Sequence, residues 1–206
     1  LRRVDVITSA HYDIIEAIKK MGIANVVDIK NFLDEYKFLG KHDTASIKKK
    51  FNLKNEHVIA FIGRFEELKD PLTFVEAIPY VLKSMKNARF IMIGEGHLKA
   101  DIKNKIKELN IEKYIIMPGP TSRVDEFLAI SDVFIACSAT ENCFSTTILE
   151  AMLSKIPCII TKAGMTEKFF VHRKDAYLVE RKNPRLLGEA IVNLLNIESG
   201  EKVESL

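Results

Sequence analysis

From His57 onward, short apolar runs alternate with longer stretches whose apolar positions return every three or four residues. The runs at 58–62, 89–93, 114–117, 133–137, 158–161 and 177–179 are rich in Val, Ile and Phe, and predict strands buried on both faces. Between them the pattern predicts helices over 71–85, 98–109, 124–130, 147–154, 166–171 and 184–195. Strand and helix in strict alternation argue for an α/β class protein: a doubly wound parallel sheet whose ligands bind outside the carboxyl ends of the strands.

The first forty residues break this rhythm. They predict a strand at 4–8, a helix over 9–21 with Ser9 as N-cap and Gly22 just past its end, and a second strand at 26–29. A lysine-rich helix is expected at 44–51. The boundary falls near residues 30–40, which gives an N-terminal segment 1–40, a main domain 41–197 and a polar tail 198–206. Because the chain enters a strand almost at Leu1, it is expected to be part of a longer polypeptide.

Composition narrows the classes. Of 206 residues, 47% are hydrophobic and 29% charged, enough apolar content for a core and far from a disordered chain. A net charge of +3 gives no argument for a nucleic-acid partner. Cys137, Cys143 and Cys158 lack metal-ligand spacing and read as reduced thiols of a cytoplasmic protein. No apolar run approaches the roughly 20 residues needed to span a bilayer. Lys99, Lys103, Lys105 and Lys107 read mainly as the wet face of a helix, with peripheral contact at the inner membrane face as the rival reading.

Two polar motifs lie where strands should end. Residues 140–152 place Glu141, Asn142, Ser145, Thr146 and Thr147 before and into a helix start, whose N–H groups and positive dipole end favour an anion. Upstream, Gly63-Arg64-Phe65 and Lys69-Asp70-Pro71 offer two cations on a loop. Together they suggest a diphosphate clamp; the alternative is a pair of surface cations matched to Glu66, Glu67 or Asp70. Glu150 is placed to accept hydrogen bonds from ribose hydroxyls, but Thr147-x-x-Glu150 also fits a capping box. Gly94-Glu95-Gly96 is a weak dinucleotide fingerprint, since Lys99 stands at the third glycine position, and fits close backbone approach better. The five histidines are scattered, and no acidic cluster offers to hold a metal.

In order and spacing these residues resemble the group 1, retaining glycosyltransferases of the GT-B class. The likeness rests on Asn31-Phe32-Leu33-Asp34, the Gly63 to Pro71 loop, Ile93-Gly94-Glu95-Gly96, Glu150-Ala151-Met152 with Pro157, and Gly164-Met165-Thr166-Glu167. It implies a Rossmann-like domain, the C-terminal half of a GT-B fold, preceded by the end of an acceptor domain. It further implies a nucleoside-diphosphate sugar as donor, with no resident cofactor and no metal, and a saccharide, lipid or small-molecule acceptor. On that resemblance Arg64, Lys69 and Glu141 serve the transfer. Gly63, Gly94, Asn142, Ser145, Thr146 and Thr147 line the donor site, the backbone near Met117 meets the base, and Glu150 meets the ribose. Asn142 stands where the family carries a glutamate, and Glu141 lies one position earlier. A nucleotide-sugar epimerase or a catalytically silent binding module would share the donor pocket. With little acceptor domain present, transfer by this chain alone is expected to be negligible.

Overall fold

A computed structural model describes residues 5–29, 31–139 and 145–198. In chain order it runs β1 (Ile7–Ser9), α1 (Tyr12–Lys20), β2 (Val26–Asp28), α2 (Glu35–Leu39), α3 (Thr44–Lys50), β3 (His57–Ile62), α4 (Pro71–Ser84), β4 (Ala88–Ile93) and α5 (Lys99–Glu108). A 3-10 turn at Glu112–Tyr114 then leads into β5 (Ile115–Ile116), α6 (Val124–Ala129), β6 (Val133–Ala136), α7 (Thr146–Leu153), β7 (Cys158–Lys162), α8 (Thr166–Phe169), β8 (Tyr177–Glu180) and α9 (Pro184–Glu198). Six parallel strands form one sheet in the order β5-β4-β3-β6-β7-β8. This is the doubly wound order expected from the sequence. The strand order reverses between β3 and β6, and the crevice above that point is the favoured ligand site of such sheets.

The sheet is covered on both faces because its strands are apolar on both. Ile59 and Phe61 of β3 face a core closed by α4, α5 and α9, whereas Val58, Ala60 and Ile62 face one closed by α2, α3, α6 and α7. In the first core Phe74 stacks on Phe61 at 5.5 Å and meets Phe90 edge-on at 6.0 Å. Helix α4 starts with Pro71 at its first position, where no N–H is needed, after Asp70 in the left-handed region. Gly188 lets α9 close on α4; a Cβ there would lie 2.6 Å from that of Tyr80.

At the N-terminus, β1 and β2 pair in parallel as a separate two-stranded sheet. The predicted first strand is shifted: Ser9 stays in β1, opposite Asp28, and the helix starts at Tyr12 after His11. Ser9 accepts a hydrogen bond from the His11 N–H at 3.1 Å instead of capping the helix. Gly22 does lie just past the helix end, at φ +80°. Helix α2 is absent from the sequence reading. Asp34 caps it by accepting from the Tyr36 N–H, and Phe38 anchors it in the second core, so it packs with the six-stranded body.

Candidate functional site

The loop after β3 and the loop after β4 are laced together by backbone. Gly63 N–H donates to the Ile93 carbonyl at 3.0 Å, Phe65 N–H to Glu95 at 2.8 Å, and Leu98 N–H to Phe65 at 3.0 Å. Only glycine permits this approach. A Cβ on Gly94 would lie 1.9 Å from the Gly63 oxygen, and one on Gly96 2.3 Å from the Phe65 oxygen. The short Gly-Glu-Gly turn therefore carries the close contact anticipated for it.

Lys69 leaves this loop towards the crevice. Its Nζ donates to Ser138 Oγ at 3.2 Å, at the carboxyl end of β6, and the same small cavity is lined by Ser145 and Thr147 at the start of α7. Ser138 is buried, and its carbonyl accepts from Thr161 Oγ1 at 2.8 Å. The next residue is pinned twice: Ala139 N–H donates to the Leu68 carbonyl at 2.8 Å, and its own carbonyl accepts from Arg181 Nη1 at 2.7 Å. Arg64 lies elsewhere. Its side chain is 64% exposed and its Nη1 sits 2.9 Å from Glu66 Oε2, the pairing named by the surface-cation alternative.

Helix α7 begins at Thr146, with Ser145 as its N-cap. Ser145 makes no side-chain cap bond to the helix; its Oγ lies 3.0 Å from Thr147 Oγ1. Because Thr147 is already inside the helix, Thr147-x-x-Glu150 is not a capping box here. Glu150 is half-buried in the second turn. Burial raises its carboxyl above the usual range, Lys37 draws it down and Asp125 pushes it up again.

Met117 follows β5 and packs against the first core. Gly119, two residues on, takes φ +89° with open space around it. A wider cavity of about 300 Å³ lies between the N-terminal segment and α7, lined by Thr8, Ser9, Asn31, Phe32 and Thr146 among others. Phe32, in the turn singled out from sequence, is 88% exposed. Glu141 and Asn142 lie outside the described residues. No three His, Cys, Asp or Glu side chains converge as a metal site among the described residues.

Four contributors escaped the sequence reading. Ser138 could have been found, because it is a small polar residue directly after a strand. Lys37, Asp125 and Arg181 could not, since each reaches the site region from a distant element.

Fold and crevice define a doubly wound domain matching the C-terminal half of GT-B glycosyltransferases. The sequence pattern of the family Glycosyl transferases group 1 matches residues 43–206, and the chain belongs to that family. It is 26% identical over 96% of its length to N-acetyl-alpha-D-glucosaminyl L-malate synthase of Bacillus anthracis, of which it spans 52%. It is 30% identical over 74% of its length to UDP-Gal:alpha-D-GlcNAc-diphosphoundecaprenol alpha-1,3-galactosyltransferase of Escherichia coli, of which it spans 40%. The chain thus spans about half, or less, of these curated relatives. Among solved structures, Anabaena HepE in complex with UDP-glucose superposes with a TM-score of 0.81 at 18% identity, over 96% of this chain and 55% of HepE. The C-terminal domain of the group 1 glycosyl transferase LpcC from Francisella tularensis superposes with a TM-score of 0.69 at 25% identity, over 81% of this chain and 88% of that one.

Proposed function

We propose that this chain is the donor-binding half of a retaining glycosyltransferase, taking a uridine-diphosphate hexose or N-acetylhexosamine. The observation that carries the reading is Lys69 beside Ser138, Ser145 and Thr147 at the strand-order switch of a group 1 family sheet. An ammonium and an N-terminus without a side-chain cap supply a cation and N–H donors for a diphosphate. HepE with UDP-glucose supports the choice of nucleotide.

In the transfer, the bond from the sugar C1 to the diphosphate oxygen breaks and a bond from C1 to the acceptor oxygen forms on the same face. The acceptor proton passes to the departing diphosphate. Charge grows on the diphosphate, and Lys69 with the α7 N–H groups stabilises it where it grows. Glu150 accepts from the ribose, the backbone near Met117 meets the base, and Arg64 joins the phosphates by leaving Glu66. Residues 1–33 form the end of the acceptor domain and its connection. A start of the donor domain at Asp34, ahead of the residue 41 expected from sequence, is supported by Phe38, which is buried with the larger sheet. Acceptor positioning then falls to chain beyond these 206 residues, and the domain alone binds donor without appreciable transfer.

Calorimetry with UDP, UDP-glucose, UDP-N-acetylglucosamine, GDP and ADP tests this reading. Binding confined to uridine nucleotides is the expected result, and absence of binding by all five would overturn it. A silent binding module is the second reading, favoured by Asn142 in place of the family glutamate. The full-length protein decides between them by release or transfer of the sugar.

A further inference from the structure

Arg181 directly follows β8, two strands away from β6, yet its guanidinium reaches the carboxyl end of β6 and donates from Nη1 to the Ala139 carbonyl at 2.7 Å. Ala139 is the residue after Ser138, which receives Lys69 Nζ at 3.2 Å. Lys69 comes from the loop after β3 and Arg181 from the turn after β8, so the two cations approach the end of β6 from opposite sides. Their anchors are consecutive residues, with Cα atoms about 3.8 Å apart. These anchors are held firmly. Ser138 is buried, and the peptide joining it to Ala139 is fixed at both ends: its oxygen accepts from Thr161 Oγ1 at 2.8 Å, and its N–H donates to the Leu68 carbonyl at 2.8 Å.

Arg181 meets no opposite charge among the described residues. Its acceptor is a neutral carbonyl, and the carboxylate beside it in sequence, Glu180, lies 3.0 Å from Lys162 Nζ. Arg64, by contrast, is paired with Glu66. A guanidinium presents five N–H donors in a planar fork. The bond to Ala139 spends one of them and fixes the fork at the crevice, while the side chain as a whole stays exposed.

We propose that Arg181 is a cation of the diphosphate site, and that it, ahead of Arg64, is the partner of Lys69 on the phosphate oxygens. The proposal rests on the donor reading above. A diphosphate lying over Ser138 and Ala139 meets an ammonium from one side and a guanidinium from the other, and Arg181 gives up no ion pair among the described residues to reach it. Charge-assisted bonds from a fork already fixed in place suit such a ligand.

Calorimetry with UDP and NMR titration with uridine, on wild type, Arg181→Met and Arg181→Gln, test this. Both variants remove the charge, and Gln keeps a donor for the Ala139 carbonyl. Each should weaken UDP binding about tenfold, the range for a hydrogen-bonded charge that solvent partly screens. Uridine, which has no phosphate for a cation to hold, should bind all three alike, and this also certifies that the variants fold. Arg64→Met should lose less UDP affinity than either. Unchanged UDP binding in both Arg181 variants overturns the proposal. So does an equal loss of UDP and uridine, or a Gln variant that binds UDP as wild type does, because Arg181 would then act only by holding the Ala139 carbonyl. A wild-type chain that binds no UDP overturns the donor reading and the proposal with it; wild-type binding of UDP keeps the two failures apart.

Discussion

Lys69 Nζ lies 3.2 Å from Ser138 Oγ, joining the loop after β3 to the end of β6 across the point where the strand order reverses. Two residues 69 positions apart in sequence thus meet at the strand-order switch, where helices diverge and a ligand can reach between them. Everything proposed for the diphosphate depends on this meeting.

Lys69→Met should therefore weaken UDP binding by roughly 2 to 4 kcal/mol, the cost of losing a partly buried charge partner. Arg64→Met should cost less, about 1 kcal/mol, because Arg64 must leave Glu66 before it can contribute. Calorimetry on the two variants checks the order. Equal affinity of wild type and Lys69→Met would return Lys69 to a structural role.

Glu150→Gln separates function from stability. The folded chain holds the Glu150 proton more tightly than the unfolded chain, so the carboxylate contributes a penalty that is absent well below pH 4.5 and grows as pH rises through the raised folded value. Replacing it with Gln should leave the fold as stable at neutral pH or more so. UDP affinity should still fall by roughly 1.5 to 3 kcal/mol, the worth of hydrogen bonds to a charged acceptor. Urea melts and calorimetry on one preparation read both. A variant that is less stable, yet binds UDP normally, would contradict the ribose role.

Gly94 and Gly119 should differ sharply when changed to Ala. A Cβ at Gly94 collides with the Gly63 backbone oxygen, which cannot step aside without breaking the lacing of the two loops, so a loss of about 3 kcal/mol is expected. At Gly119 the space is open and only the left-handed φ is penalised, at about 1 to 2 kcal/mol. Chemical denaturation of both variants measures the difference.

His97 and Glu67 bridge the rims of the β3 and β4 loops, with Nε2 and Oε2 2.8 Å apart. The hydrogen bond with Glu67 raises the His97 value above 6.5, and the same bond lowers Glu67 below 4.5. The His97 contribution is complete below pH 6.5 and fades as pH rises through its folded value; that of Glu67 is complete above pH 4.5 and fades as pH falls through its own. The pair should hold fully between those limits. In Glu67→Gln the His97 ring should titrate at lower pH than in wild type, and NMR of its ring protons reads this directly.

Much of the framework was legible along the chain. The run from His57 to Ile62 is apolar at every position but the first, which makes it a central parallel strand wherever the rest of the chain goes, and the alternation that follows dictates helices on both faces. Ser145, Thr146 and Thr147 could be placed at a strand-to-helix junction from their type alone. By contrast, Ile115–Ile116 is a strand of two residues because its neighbours enter a 3-10 turn, and that choice is made by packing at the sheet edge. Helix α2 is held by Phe38 in a core built mostly from residues far downstream, so no local pattern announced it.

The site divides in the same way. Residue type and position after a strand, both local properties, brought Gly63, Lys69, Gly94, Ser145 and Glu150 into view. Whether Arg64 turns to Glu66 or to the crevice, whether Glu150 serves a capping box or lies half-buried in the second turn of α7, and which small residue receives Lys69 are decided by where the helix starts and by side chains meeting across the sheet. Such contacts depend on distance in three dimensions, and the tertiary structure alone supplies it.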